Sequence, residues 1–136
     1  MKILKYFTVF FSLLTISVSA QPGKKTITLE AAGQPTIKFE TTVHDFGTIK
    51  EGTQATYEFV YTNNGKAPLI LTSVTPPCSC TIPEWPKEPL EPGKSARIKV
   101  TFDSNDKSGT FSKTIEVKHN GESGRDYITI RGSVGT

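Results

Sequence analysis

Strict alternation of apolar and polar residues is the feature that most limits how this chain can fold. The clearest example is the segment 95–103. Its apolar members, at every second position, are Ala96, Ile98, Val100 and Phe102. Because side chains of an extended strand point alternately to its two faces, this pattern predicts a strand with one buried and one solvated face.

The same period of two recurs along the chain. Residues 54–62 predict a second clear strand, whose inward side chains are expected to be Ala55, Tyr57, Phe59 and Tyr61. Further strands are predicted at 36–40, 68–74, 111–118 and 127–134. No window of about ten residues carries a helical period. The sequence therefore predicts an all-β protein, an antiparallel β-sandwich of about seven strands.

Glycines indicate where these strands bend or turn. Gly47, within Asp45-Phe46-Gly47, is expected to permit a bend or bulge beside a core-facing Phe46. Asn64-Gly65 is expected to form a turn, since this pair adopts positive φ at low cost.

Both cysteines lie in the run Pro76-Pro77-Cys78-Ser79-Cys80-Thr81. On an extended strand their Cα atoms would be about 6.6 to 6.8 Å apart, whereas a disulfide needs Cβ atoms about 3.5 to 4.5 Å apart. A Cys78–Cys80 bridge therefore requires a turn at Ser79, which the two prolines favour. Four interpretations stay open: a local disulfide, a reversible dithiol, a two-thiolate copper or zinc site, and two half-buried structural residues.

A proline occurs at every third position after the cysteines, which matches polyproline II and predicts a stiff irregular connection. These prolines are Pro83, Pro86, Pro89 and Pro92. Trp85, the only tryptophan, lies among them. It is expected either to cap the core or to form, with Pro83, Pro86 and Pro89, an exposed anchor for a partner.

The two histidines do not extend the cysteine pair into a metal site, because neither has a ligand spacing to Cys78 or Cys80. His44 beside Asp45 is expected to be a hydrogen-bonded structural residue, and His119 beside Asn120-Gly121 a solvated turn residue. Met1 is the only methionine, so none remains after removal of the first twenty residues. Thioether groups are the usual companions of thiolates at copper(I), and their lack argues against a copper carrier. No cofactor and no metal are predicted.

The first twenty residues predict a signal peptide. A basic start is followed by an apolar run from Tyr6 to Ile16 and by small residues at Val18 and Ala20. We therefore expect cleavage before Gln21 and export to the periplasm or the medium. The apolar run is too short to anchor the chain, and no cysteine lies at or just after the cleavage point, so no membrane anchor is expected in the mature protein.

Residues 21–35 are then expected to form a flexible N-terminal arm and residues 36–136 the folded domain. Removal of Lys2 and Lys5 leaves 14 basic against 13 acidic residues, so the formal net charge falls from +3 to +1. Without a basic block, this balance argues against nucleic acid as a partner.

Several motifs in order resemble a known family. They are His44 to Gly52, Phe59 to Gly65, Pro68 to Leu71, Cys78-Ser79-Cys80-Thr81 and Leu90-Glu91-Pro92-Gly93. This series is similar to the bacterial domain-of-unknown-function family 1573. The resemblance implies an immunoglobulin-like sandwich, akin to Hydin-type and major-sperm-protein-type domains, in a small exported protein of Bacteroidota. It implies no particular reaction.

Three functions follow as hypotheses. The first is a non-enzymatic envelope module that binds an unknown protein or peptide through a sheet edge or the proline-rich loop. The second is a thiol redox or soft-metal site at Cys78 and Cys80. The third, a hydrolase, is disfavoured because no serine lies in a nucleophile-elbow context.

The signal-peptide hypothesis predicts a mature protein that begins at Gln21. Intact-mass measurement of the exported protein tests this cleavage. A mature species that retains Met1 to Ala20 would contradict it.

Overall fold

The computed structural model describes residues 33–136, which contain eight β-strands. The strands are β1 (Ile37–Phe39), β2 (Val43–Lys50), β3 (Gln54–Asn63), β4 (Leu71–Thr75), β5 (Thr81–Glu84), β6 (Ser95–Asp103), β7 (Gly109–His119) and β8 (Arg125–Gly135). No helix long and apolar enough to cross a membrane occurs in this range. Residues 1–32, with the predicted leader and most of the arm, lie outside the described residues.

The strands form two four-stranded sheets. Sheet I has the order β1-β3-β6-β5, and sheet II has the order β2-β8-β7-β4. The predicted all-β sandwich is confirmed. It differs in one respect from a wholly antiparallel arrangement, because β2 runs parallel to β8.

This parallel pair arises because the chain changes sheets between β1 and β2. β1 pairs with β3 in sheet I, and after Phe39 the chain crosses to pair with β8 in sheet II. The register of β2 shifts between Asp45 and Thr48, where Gly47 has a φ of 67°. The predicted bulge at Gly47 is therefore confirmed, and a residue without Cβ suits this left-handed conformation.

The core lies between the two sheets, and the four central strands provide most of it. Its completely buried side chains are Phe59, Ile98, Val100, Phe102, Ile115, Val117, Ile128 and Ile130. These are the inward positions that the alternation predicts for β3, β6, β7 and β8. Phe111 adds to the core by stacking on Phe102, with ring centroids 4.0 Å apart.

Asn63, at the end of β3, joins three segments through its buried amide. Its Nδ2 donates to the carbonyls of Ala67 and Leu90, both at 2.8 Å, and its Oδ1 accepts from the Gly65 N–H at 2.9 Å. The following turn does not use positive φ, so that prediction for Asn64-Gly65 is wrong. Glycine is needed at 65 because a Cβ there would collide with the backbone of Gln34, Pro35 and Thr36.

The segment after the cysteines is more regular than its prolines suggest. Residues 81–84, including Pro83, form β5 and pair antiparallel with β6. The expectation of an irregular connection that lacks ladder bonds is wrong over this stretch. Pro83 is compatible with a strand because β5 lies at the edge of sheet I.

Replacing Phe59 or Phe102 by alanine is expected to lower the free energy of unfolding by about 3 to 5 kcal/mol, because each change leaves a cavity in the core. Lys99→Ala, on the opposite face of β6, is the control. Its ion pair with Glu84 is exposed, so the expected loss is below about 1 kcal/mol. Chemical denaturation measures all three variants. A loss below about 1 kcal/mol at both phenylalanines would contradict their burial.

Candidate functional site

Cys78 and Cys80 form a disulfide in the turn between β4 and β5. Their Cα atoms are 5.3 Å apart, closer than on an extended strand, because the chain turns at Ser79 and the Thr81 N–H donates to the Cys78 carbonyl at 3.3 Å. The Cys80 carbonyl then accepts from the Asp103 N–H at 2.8 Å, next to the first pair of the β5–β6 ladder. The bridge therefore lies where the chain passes from sheet II to sheet I.

Trp85 is half-buried against the core. The ammonium group of Lys87 lies 3.0 Å from the centroid of its ring, so a cation covers one face of the indole. Of the neighbouring prolines, Pro83 belongs to β5, Pro86 is half-buried and only Pro89 is exposed. The four candidate residues thus do not form one open aromatic surface. Within residues 33–136, Trp85 Nε1 is buried and lacks a hydrogen-bond partner.

His119 is buried, with 6% of its surface exposed, so the expectation of a solvated turn residue is wrong. Its Nδ1 accepts a hydrogen bond from the Gly121 N–H at 3.0 Å. Nε2 therefore carries the proton and donates to Asp126 at 2.9 Å. The ring closes the turn between β7 and β8.

Ser123 lies beside His119 but is not arranged as a nucleophile. Its Oγ donates to Asp126 Oδ2 at 3.2 Å and lies 3.4 Å from His119 Nε2. Asp126 and Ser123 both lie at Nε2 of His119, whereas Nδ1 already accepts from the Gly121 N–H. No ring lone pair is left to take the serine proton, as nucleophilic catalysis would require.

His44 is held by ring contacts at the start of β2. It stacks on Tyr57 of β3 with centroids 3.7 Å apart, and the edge contact to Phe46 has a centroid distance of 4.6 Å. All three side chains are half-buried. We call Phe46, His44 and Tyr57 the aromatic floor. These rings connect β2 of sheet II with β3 of sheet I on the inner face of the sandwich, next to the edge of β3 that is opposite β6.

That side of β3 is open over half its length. β1 reaches only from Ile37 to Phe39, and its ladder ends where the Glu40 N–H donates to the Val60 carbonyl at 3.0 Å. Even-numbered residues of β3 direct their backbone groups to this side, since ladder bonds alternate along an antiparallel pair. No strand in the described part of the chain pairs with Gln54, Thr56 or Glu58 there. We call this stretch the open edge.

The outermost strands are, by contrast, protected against further pairing. In β5, the register directs the backbone of Pro83 outward, and proline has no N–H to donate. In β2, the Thr41 hydroxyl donates to the Val43 carbonyl at 2.9 Å and accepts from its N–H at 3.4 Å. β1 has three residues, and β4 is irregular after Leu71 and ends before Pro76-Pro77.

The sequence predicts the faces of β3 correctly but does not reveal its open edge. A signal was present in the lengths of the alternating segments. The first contains Ile37 and Phe39 before the polar run at residues 40–42, whereas β3 spans ten residues. A three-residue strand covers only part of a ten-residue neighbour.

Comparison with known families identifies the chain. The family model described as "Protein of unknown function (DUF1573)" matches residues 37–134. The chain belongs to this family. The resemblance of its motifs is thereby confirmed, while a comparison with curated proteins finds no match.

Similarity to solved structures supports the immunoglobulin-like fold. A protein of unknown function from Porphyromonas gingivalis W83 has a TM-score of 0.67 at 19% identity, over 80% of this chain and 51% of that one. The VesB protease of Vibrio cholerae has a TM-score of 0.57 at 20% identity, and the match covers 76% of this chain and 32% of the protease. PapD-like domain 7 of human CEP192 has a TM-score of 0.60 at 12% identity, and the match covers 75% of this chain and 87% of that domain.

The DUF1573 chain thus spans about half of the P. gingivalis protein and about a third of the protease. At these identities the likeness concerns the fold alone.

The aromatic floor predicts a pH dependence of stability. Burial lowers the pKa of His44 from its ordinary value of 6.5, and the Asp45 carboxylate opposes this shift. Below pH 6.5 the unfolded chain therefore binds more protons at this site than the folded one, so this contribution to stability is lost as the pH falls through the lowered pKa.

We expect the melting temperature to decrease when the pH is lowered from about 7.5 to about 5. The decrease is expected to be smaller in His44→Phe, because the phenyl ring cannot take a proton. Thermal melts of both proteins at the two pH values measure the difference. An equal fall in both would contradict a contribution from His44.

Proposed function

We propose that the mature protein is an exported, non-enzymatic module of the cell envelope that binds an extended segment of a protein or peptide. The observation that carries this proposal is the open edge of β3. There, backbone donors and acceptors of Gln54, Thr56 and Glu58 have no strand opposite them among the described residues.

An extended segment fits this edge for two reasons. Unpaired backbone groups in a row form the template used when a peptide adds a strand to a sheet. The protected β1, β2, β4 and β5 direct such pairing to the open edge of β3. Added strands that pair there would continue the line of β1 in sheet I.

The arrangement of polar side chains supports a role in binding rather than catalysis. The Ser123, His119 and Asp126 cluster leaves no base for the serine hydroxyl. Within residues 33–136, no three histidine, cysteine or acidic residues lie close enough to hold a metal ion. With both cysteines joined in a disulfide, no observation favours the thiol or soft-metal alternative.

Export enters the proposal through the sequence. The basic start, apolar run and small residues of positions 1–20 are those of a cleaved leader. A disulfide is also expected in an oxidising compartment.

Selection from a displayed library of random peptides on the purified mature protein tests the proposal. We expect enriched peptides whose binding is abolished by Thr56→Pro, because proline removes an N–H of the open edge and its ring blocks an incoming strand. Thr56→Val is the matched control. It keeps both backbone groups and changes only the outward side chain, so binding is expected to persist.

Circular dichroism first establishes that both variants are folded. Peptides that bind the two variants equally well would overturn binding at the open edge. A library that yields no binding peptide would overturn the proposed function itself.

A further inference from the structure

We infer that the open edge selects an antiparallel segment of five residues with apolar side chains at its second and fourth positions and a basic residue at its first. This inference rests on the proposed function and specifies the partner that the same site takes. The five positions lie opposite Glu58, Tyr57, Thr56, Ala55 and Gln54, in that order.

The length and direction follow from the neighbouring ladder. β1 already pairs antiparallel with β3 in the same line, and its last bond joins Glu40 to Val60. An added strand therefore begins opposite Glu58 and runs toward Gln54, a span of about 17 Å. The antiparallel direction is favoured because its hydrogen bonds are perpendicular to the strands, which makes it slightly more stable per residue.

The second position meets the aromatic floor. Directly opposed residues of a sheet share a face, and Tyr57 points inward, onto the ring of His44 at 3.7 Å. A side chain opposite Tyr57 therefore points toward half-buried rings rather than solvent. An apolar side chain there removes both itself and part of these rings from water.

The fourth position lies opposite Ala55, the smallest inward side chain of β3. Because directly opposed residues share a face, the side chain at the fourth position points to the same inward side as the one at the second, where an apolar group is withdrawn from water. Two apolar side chains of the partner, two residues apart, thus point to the core side. This spacing also fixes the register, since a shift by one residue would expose both.

The first position lies opposite Glu58 on the solvated face. Arg97 binds one carboxylate oxygen of Glu58, Oε2, at 2.8 Å, and the side chains of this pair are well exposed. A basic residue of the partner would meet the other oxygen, whereas an acidic residue would oppose a like charge directly across the strands, which is destabilising.

Titration of labelled mature protein with defined peptides, followed by NMR at the amides of Thr56 and Glu58, tests the inference. The probe is lysine-leucine-threonine-leucine-threonine, flanked by glycine and serine. The control has the same composition in the order lysine-leucine-leucine-threonine-threonine, so no register points both leucines inward. We expect the control to bind about tenfold more weakly.

A second comparison addresses the charge and the floor. Replacing the lysine of the probe by glutamate is expected to weaken binding several-fold. Tyr57→Ala is expected to reduce the difference between the probe and the control, because the ring that receives the second side chain is gone. Equal affinities of the probe and the control for the original protein would overturn the inference and leave strand addition at the open edge intact.

The remaining outcomes separate other occupants. If deletion of residues 21–32 changes the Thr56 and Glu58 amides before any peptide is added, the edge belongs to the chain's own arm and the inference is overturned. If library-selected peptides perturb these amides and the probe does not, the inference is wrong while the proposed function stands. If no peptide perturbs them, both are overturned.

Discussion

Mutual burial of the inward faces of β3, β6, β7 and β8 is the interaction on which the rest of this structure depends. The rings of Phe59 and Phe102 and the branched side chains beside them are completely withdrawn from water, and burial of such apolar surface is the main favourable term in folding. The four central strands are thereby held in two stacked sheets. Every other strand, turn and side-chain cluster is attached to this frame.

The frame also explains why the open edge exists. The first described segment contributes to both sheets, because the chain crosses after Phe39 and bends at Gly47. Sheet II gains a parallel edge strand by this crossing, while among residues 33–136 the three residues of β1 are the cover that sheet I has on this edge of β3. The open edge at Thr56 and Glu58 arises because the chain leaves sheet I after β1 and adds β2 to sheet II.

Polar groups organise the ends of the sandwich. The Asn63 amide ties three segments at one end. At the other end the buried Ser104 hydroxyl donates to the Thr53 carbonyl at 2.7 Å, and the Lys50 carbonyl oxygen lies 3.0 Å from it. His119 closes the turn between β7 and β8 in the same manner. These contacts satisfy backbone groups that the strands leave unpaired where they end, since a buried unpaired group is costly.

The amino-acid sequence by itself determined the fold class, the position of most strands and which side chains face the core. These properties follow from a local period of two, which needs no knowledge of the partner strand. Strand pairing, by contrast, is a property of residues far apart in the chain. Only the tertiary structure decided that Thr81 to Glu84 pairs with β6, that β2 runs parallel to β8, and that His119 is buried.

It also decided that Gly65 meets the backbone of Gln34 and Thr36 rather than taking a positive φ. The open edge belongs to the same class of property, because it depends on where β1 leaves β3. Alternation indicates which way a side chain points, but whether a backbone N–H is paired can be judged only when the neighbouring strand is known.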